Sequence, residues 1–164
     1  MFALVYTADP RYLATGGASA GFRHEYSMFD LPEGGNGGDR VVVLSQRLVD
    51  SLTPAEIEVI VLHEEGHIAL GHLDSIEASS CVVDNEGFSM AVLPSFELEA
   101  DAYAAARVGA EVVVQMLERT SEFLVSVAVE SLPEAVQVTA RPAVQAFIDA
   151  QINPRIAALR STGM

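Results

Sequence analysis

Hydrophobic and polar positions divide this chain into a strand-like first third and a helical remainder. Two early segments, "FALVYTA" (residues 2–8) and "RHEYSMFDL" (residues 23–31), carry the β-branched and aromatic content of short strands. Between them "LATGGASAG" reads as a flexible turn, and "PEGGNGGDR" as a second glycine-rich loop. The run "RVVVLSQRLVDSL" then predicts a buried strand over residues 41–44 that passes directly into a short helix over residues 46–51.

The following stretch, "LTPAEIEVIVLHEEGHIALGH", opens with Thr53 as N-cap, Pro54 at the first helical position and Glu56 in capping-box register. It predicts one helix from residue 54 to about residue 70, ending near Gly71. "SSCVVDNEGFSMAVLP" mixes strand and turn signals and reads as an irregular loop with a short hairpin. After Pro94 the composition is helical, with a break expected at Gly109, and the last thirty or so residues read as short helices punctuated by prolines. These elements predict an α+β fold in one domain over residues 1–164, mainly helical with a small N-terminal sheet.

Chemistry concentrates in "HEEGHIALGH". A helix turns about 100° per residue, so His63 and His67 lie about 40° apart and one ion can bind both rings. Glu64, one step around, can reach a water on that ion rather than the ion itself. Glu65 and His72 lie about 160–180° from the midpoint of the two histidines, and with Glu58 they form an expected solvated stripe on the far side, the alternative being that the helix ends at Gly71 and frees the direction of His72. "FELEADAYAA" offers a third ligand: Glu97 and Asp101 are again i and i+4, whereas Glu99 points away from them. Glu97 can complete a His-His-Glu zinc site with an open fourth position, and Asp101 can accept the free N–H of a ligand histidine, expected to be His63. Ala100, Ala104 and Val108 share the face of Glu97, where small residues let the two helices approach closely.

"HEEGH" followed by "ELEAD" resembles the HExxH…ExxxD signature of the gluzincin metallopeptidases. Residues 40–107 are most similar to the CAAX prenyl endopeptidase and HtpX-like peptidases, and "NPRIAALR" resembles the C-terminal pattern of the same family. The resemblance implies a zincin-like fold and a zinc-dependent endopeptidase binding one Zn2+ through His63, His67 and Glu97. It also implies Glu64 as general base and Asp101 as the carboxylate behind a ligand histidine. The strand at residues 41–44 would be the edge that pairs with an extended peptide. His24, Tyr26, Tyr103, His72, Arg141 and Arg155 each offer a donor for an oxyanion.

Charge and composition narrow the partners. The net charge is −14, from 23 acidic against 9 basic side chains, all of them arginine, which disfavours nucleic acid and anionic membranes. No apolar run reaches the roughly 18 residues of a membrane span, and "MFALVYTADPRY" lacks the features of a signal peptide, so a cytoplasmic protein is expected; the resemblance implies a peptide or protein substrate. Cys81, the single cysteine, is expected to be a buried free thiol, the alternative being a thiolate that closes the fourth metal position. Two other functions fit the motif: a regulatory metallopeptidase like ImmA/IrrE, and a zinc-stabilised binding module without turnover.

Overall fold

Residues 40–45, rich in valine, have the β-branched side chains that suit a strand buried on both faces, and they form the centre of the sheet. The computed structural model describes residues 2–9, 12, 17–26, 39–75, 81–84, 87–90 and 94–162, and at 24–25, 81–84 and 87–90 it describes the backbone alone. β1 (Ala3–Thr7), β2 (Ala18–Phe22) and β3 (Arg40–Ser45) make a mixed sheet of order β1-β3-β2. β1 runs parallel to β3 and β2 antiparallel to it.

Val41 and Val43 point into a small core with Ala3, Val5, Tyr12 and Tyr26. Val42 and Leu44 point the other way, into the main core shared with the helices. Tyr12 ties the small core to the sheet by donating its hydroxyl to the Val43 carbonyl at 2.8 Å.

β3 passes without a loop into α1 (Gln46–Ser51), whose first turn is capped by Ser45 accepting from the Leu48 N–H. α2 (Pro54–Ala69) carries the expected capping box: the Thr53 hydroxyl accepts from the Glu56 N–H and the Glu56 carboxylate accepts from the Thr53 N–H. Gly71 ends that helix in the left-handed region at φ 77°. A two-stranded hairpin, β4 (Cys81–Asp84) and β5 (Gly87–Met90), follows. α3 (Pro94–Val108) and α4 (Ala110–Glu130) are separated at Gly109, where φ is 93°. α5 (Glu134–Thr162) closes the described chain. The architecture is α+β and mostly helical, and among the described residues no helix is long and apolar enough to cross a membrane.

Three expectations are corrected. The expected turn at residues 13–21 contains most of β2, whose Ala18 and Ala20 lie in the main core and which is held by its pairing with β3. "RHEYSMFDL" is not a strand where it is described: Arg23–Tyr26 form a 3-10 turn, and residues 27–31, with most of "PEGGNGGDR", lie outside the described residues. The prolines at 142 and 154 do not divide the C-terminal region, because both sit inside the 29-residue α5. A proline removes the hydrogen bond to the carbonyl four residues back. Those carbonyls belong to Val138 and Ala150, both exposed, so water can take the bond's place. Burial of Ile148, Ile152, Ile156 and Leu159 against the core holds the helix together. Four such side chains at about 1.5–3 kcal/mol each offset two proline penalties of about 3 kcal/mol each.

The packing that matters most for the site is α2 against α3. Ala100 and Ala104 are fully buried between the helices, as their position beside Glu97 predicts. Facing them is Gly66: a Cβ built there would stand 3.1 Å from the Ala100 Cα and 3.3 Å from its carbonyl oxygen. Gly66→Ala would gain about 1 kcal/mol of helix propensity and lose about 1–3 kcal/mol by overpacking. Backbone atoms cannot rotate aside, so we expect a net loss of roughly 1 kcal/mol, read as a lower denaturant midpoint at unchanged m-value.

Candidate functional site

α2 presents His63, Glu64 and His67, and α3 presents Glu97 and Asp101 across the Gly66–Ala100 contact. The Nε2 atoms of His63 and His67 are 3.1 Å apart. Glu97 faces both, with Oε2 3.5 Å from His63 Nε2 and Oε1 3.4 Å from His67 Nε2. A tetrahedral ion with bonds of about 2.0–2.1 Å separates its ligands by roughly 3.3 Å, so the three edges of this triangle have the size such an ion needs. His63, His67 and Glu97 therefore form a group that could hold a metal ion. Both histidines are buried, while the Glu97 side chain keeps 23 % exposure and marks the open side of the group.

Asp101, fully buried, accepts a hydrogen bond from His63 Nδ1 at 2.9 Å, the partner expected for it. This bond leaves the Nε2 lone pair of neutral His63 directed at the triangle. Asp101 also receives two hydrogen bonds of 2.7 Å from Arg155 of α5, through Nε and Nη2. The Nη1 of Arg155 lies 2.7 Å from Glu97 Oε2. One guanidinium thus spans Glu97 and Asp101. Glu64, 8 % exposed, is beside the group but outside the ligand triangle, and the Ala20 N–H of β2 donates to its carboxylate. Glu65 faces elsewhere and lines a surface cavity with Phe2 and Arg40.

The charges of the group act on one another. Burial opposes the charged form of His63, but hydrogen bonds to Asp101 and Glu97 and the nearby Glu64 charge outweigh it and raise its pKa to about 10. Burial raises the Glu64 pKa, with Glu97 adding to the effect and the two histidines opposing it. Glu97 is also penalised by burial, yet His63, His67 and Arg155 hold its carboxyl well below the usual range. Asp101 is lowered against its own burial by Arg155 and His63.

His72 does not belong to a solvated far stripe. It is 3 % exposed, with Nδ1 3.0 Å from His67 Nδ1 and Nε2 3.1 Å from Glu99 Oε2. The helical arithmetic fails because α2 stops before His72 and Gly71 reverses the chain. Glu58 stays exposed and Glu65 half-buried, while His72 turns inward and stacks on Phe96 with ring centroids 4.2 Å apart.

The expected oxyanion donors divide in the same way. Arg155 is committed to Glu97 and Asp101, and His72 to His67 and Glu99. The Tyr26 hydroxyl bonds with Ser19, Tyr103 lies beneath the Arg107 guanidinium, and Arg141 is exposed on α5. The side chains of His24 and Cys81 lie outside the described ones. β3 is not the edge for a peptide, because β1 and β2 occupy both its sides; the outer strand beside α2 is β2. The residues missed by sequence reasoning are Gly66, His72 in its true position, and Arg155 as a clamp. For His72, the signal was the glycine immediately before it.

No protein-family model, curated protein or solved structure matches this chain. Its function must be read from the residues that meet at this site.

Two measurements test the geometry. A ligand histidine must bind its metal deprotonated, so at about pH 8 uptake of a divalent transition-metal ion should release about one proton from His63. Calorimetry in two buffers of different ionisation enthalpy reads that number. A folded-state pKa of about 10, above the unfolded value of 6.5, means that His63 stabilises the metal-free fold fully below pH 6.5. That contribution fades as the pH rises toward 10. Arg155→Ala removes the buried cation shared by Asp101 and Glu97 and leaves both to His63; it should cost roughly 3–5 kcal/mol in denaturant unfolding of the metal-free protein.

Proposed function

We propose that this protein is a zinc-dependent endopeptidase of zincin-like fold, a gluzincin resembling a minimal form of the CAAX prenyl endopeptidase and HtpX-like peptidases. The observation that carries this reading is Glu64. A metal held only for stability needs its ligands and the groups that orient them; it does not need a further carboxylate buried beside them. Glu64 is such a carboxylate, on the ligand helix and outside the ligand set.

His63, His67 and Glu97 would hold the zinc, a donor set of two imidazoles and one carboxylate that suits a catalytic site with an open position. When bound, zinc supplies Lewis acidity that polarises a carbonyl and lowers the pKa of a water. Glu64 takes the proton from the attacking water at its carboxylate and later gives it to the leaving amine. A carboxyl pKa raised by burial suits both tasks, since the group must accept a proton and then release it. The Ala20 N–H holds Glu64 in place while Asp101 and Arg155 fix His63 and Glu97. An extended peptide would run along β2, the outer strand of the sheet beside α2.

Metal analysis and peptide-library cleavage of the wild type and a Glu64→Gln variant test this reading. We expect both proteins to bind one zinc, and the variant to lose about 10²–10⁴-fold in cleavage rate. Cleavage by the wild type should stop on chelation and return with added zinc. Zinc binding without cleavage by either protein would instead indicate a binding module.

A further inference from the structure

We propose that His72 and Glu99 form a positioning pair for His67, setting the tautomer that turns its Nε2 lone pair toward the metal group; the inference rests on the metal centre proposed above. Its basis is a line of three contacts that runs from the triangle through His72 to Glu99. Glu99 Oε2 is 3.1 Å from His72 Nε2, His72 Nδ1 is 3.0 Å from His67 Nδ1, and His67 Nε2 faces Glu97 and His63.

The proton positions along this line follow from chemistry. The Glu99 side chain is 57 % exposed, and an ionised carboxylate can only accept. His72 Nε2 therefore carries the proton it donates to Glu99. When the His72 ring is neutral it has this one N–H, so its Nδ1 is an acceptor. It can accept only if His67 carries its proton on Nδ1. In neutral His67 this leaves Nε2 bare, with its lone pair among the ligand atoms. Every step depends on the one before it, and the direction is set at the solvent end by Glu99.

Geometry supports positioning rather than incidental contact. His72 is 3 % exposed, and its ring lies nearly parallel to Phe96, with an interplanar angle of 3°. Phe96 and Glu99 are both on α3, which also carries Glu97. The two ligand histidines of α2 are thus each oriented from behind: His63 by Asp101 directly, His67 by Glu99 through His72. Gly71 makes the second arrangement possible, because its left-handed backbone brings the ring of residue 72 back against the helix that has just ended.

The test measures zinc affinity by competition with a chromophoric chelator, together with the His67 tautomer in the metal-free protein by long-range proton–nitrogen NMR. Loss of a partner behind a ligand typically weakens binding about 10–100-fold, and this is the loss expected for His72→Ala. His72→Asn places an amide oxygen near the lost Nδ1 and should restore most of the affinity, which mere filling of the space would not do. Glu99→Ala removes a largely exposed side chain without threatening the fold, and should shift His67 from one tautomer to a mixture and weaken zinc binding. Wild-type zinc affinity in His72→Ala, or an unchanged His67 tautomer in Glu99→Ala, would overturn the inference while leaving the metal centre intact. Failure of the wild type itself to bind zinc would remove the centre, and the inference with it.

Discussion

Three carboxylates, Glu64, Glu97 and Asp101, are packed into one small volume beside two buried histidines, and the fold must compensate their charge. An isolated buried carboxylate is costly enough that it normally either pairs or takes up a proton. Here Arg155 answers two of the three at 2.7 Å, and His63 answers through Asp101 and Glu97. Arg155 comes from α5, far along the chain from α2. The position of the C-terminal helix is therefore part of the site chemistry. Its seating depends on the aliphatic face Ile148, Ile152, Ile156 and Leu159, which packs into the core shared with α4 and leaves the guanidinium aimed at α3.

The second requirement is closeness. Ligand atoms on different helices can meet at 3.4 and 3.5 Å only if the helix backbones approach tightly, and Gly66 against Ala100 provides that approach. The sheet contributes from another direction. β3 anchors β2 by its antiparallel ladder, and β2 turns the Ala20 N–H toward Glu64. Glu64 is thus held by the sheet and the ligand triangle by the helices. In the proposed reaction the group that moves protons is thereby separated from the groups that would hold the metal.

The helix termini give the arrangement its register. Thr53 and Pro54 start α2 at a defined residue, and Gly71 stops it one residue before His72. If the helix continued for another turn, His72 would swing to the far side with Glu58 and Glu65, and His67 would lose its partner.

How much of this was legible depends on the distance over which each feature is determined. β3, α1, the capped α2 and the break at Gly109 were readable because apolar runs, caps and glycines act within a few residues. His63, His67, Glu97 and Asp101 were readable for the same reason: i and i+4 share a helix face whatever the rest of the chain does. β2 was hidden because "ASAGF" has weak strand character of its own and is held by pairing with β3. α5 was hidden because proline is a local signal for a break, while the burial that outweighs it comes from another helix. Arg155 and Gly66 gain their meaning only opposite residues dozens of positions away, and His72 only after the chain reverses at Gly71. The sequence by itself determined which side chains can face one another along a single helix. Tertiary packing decided which helices meet, because that depends on burial and charge compensation summed over the whole chain.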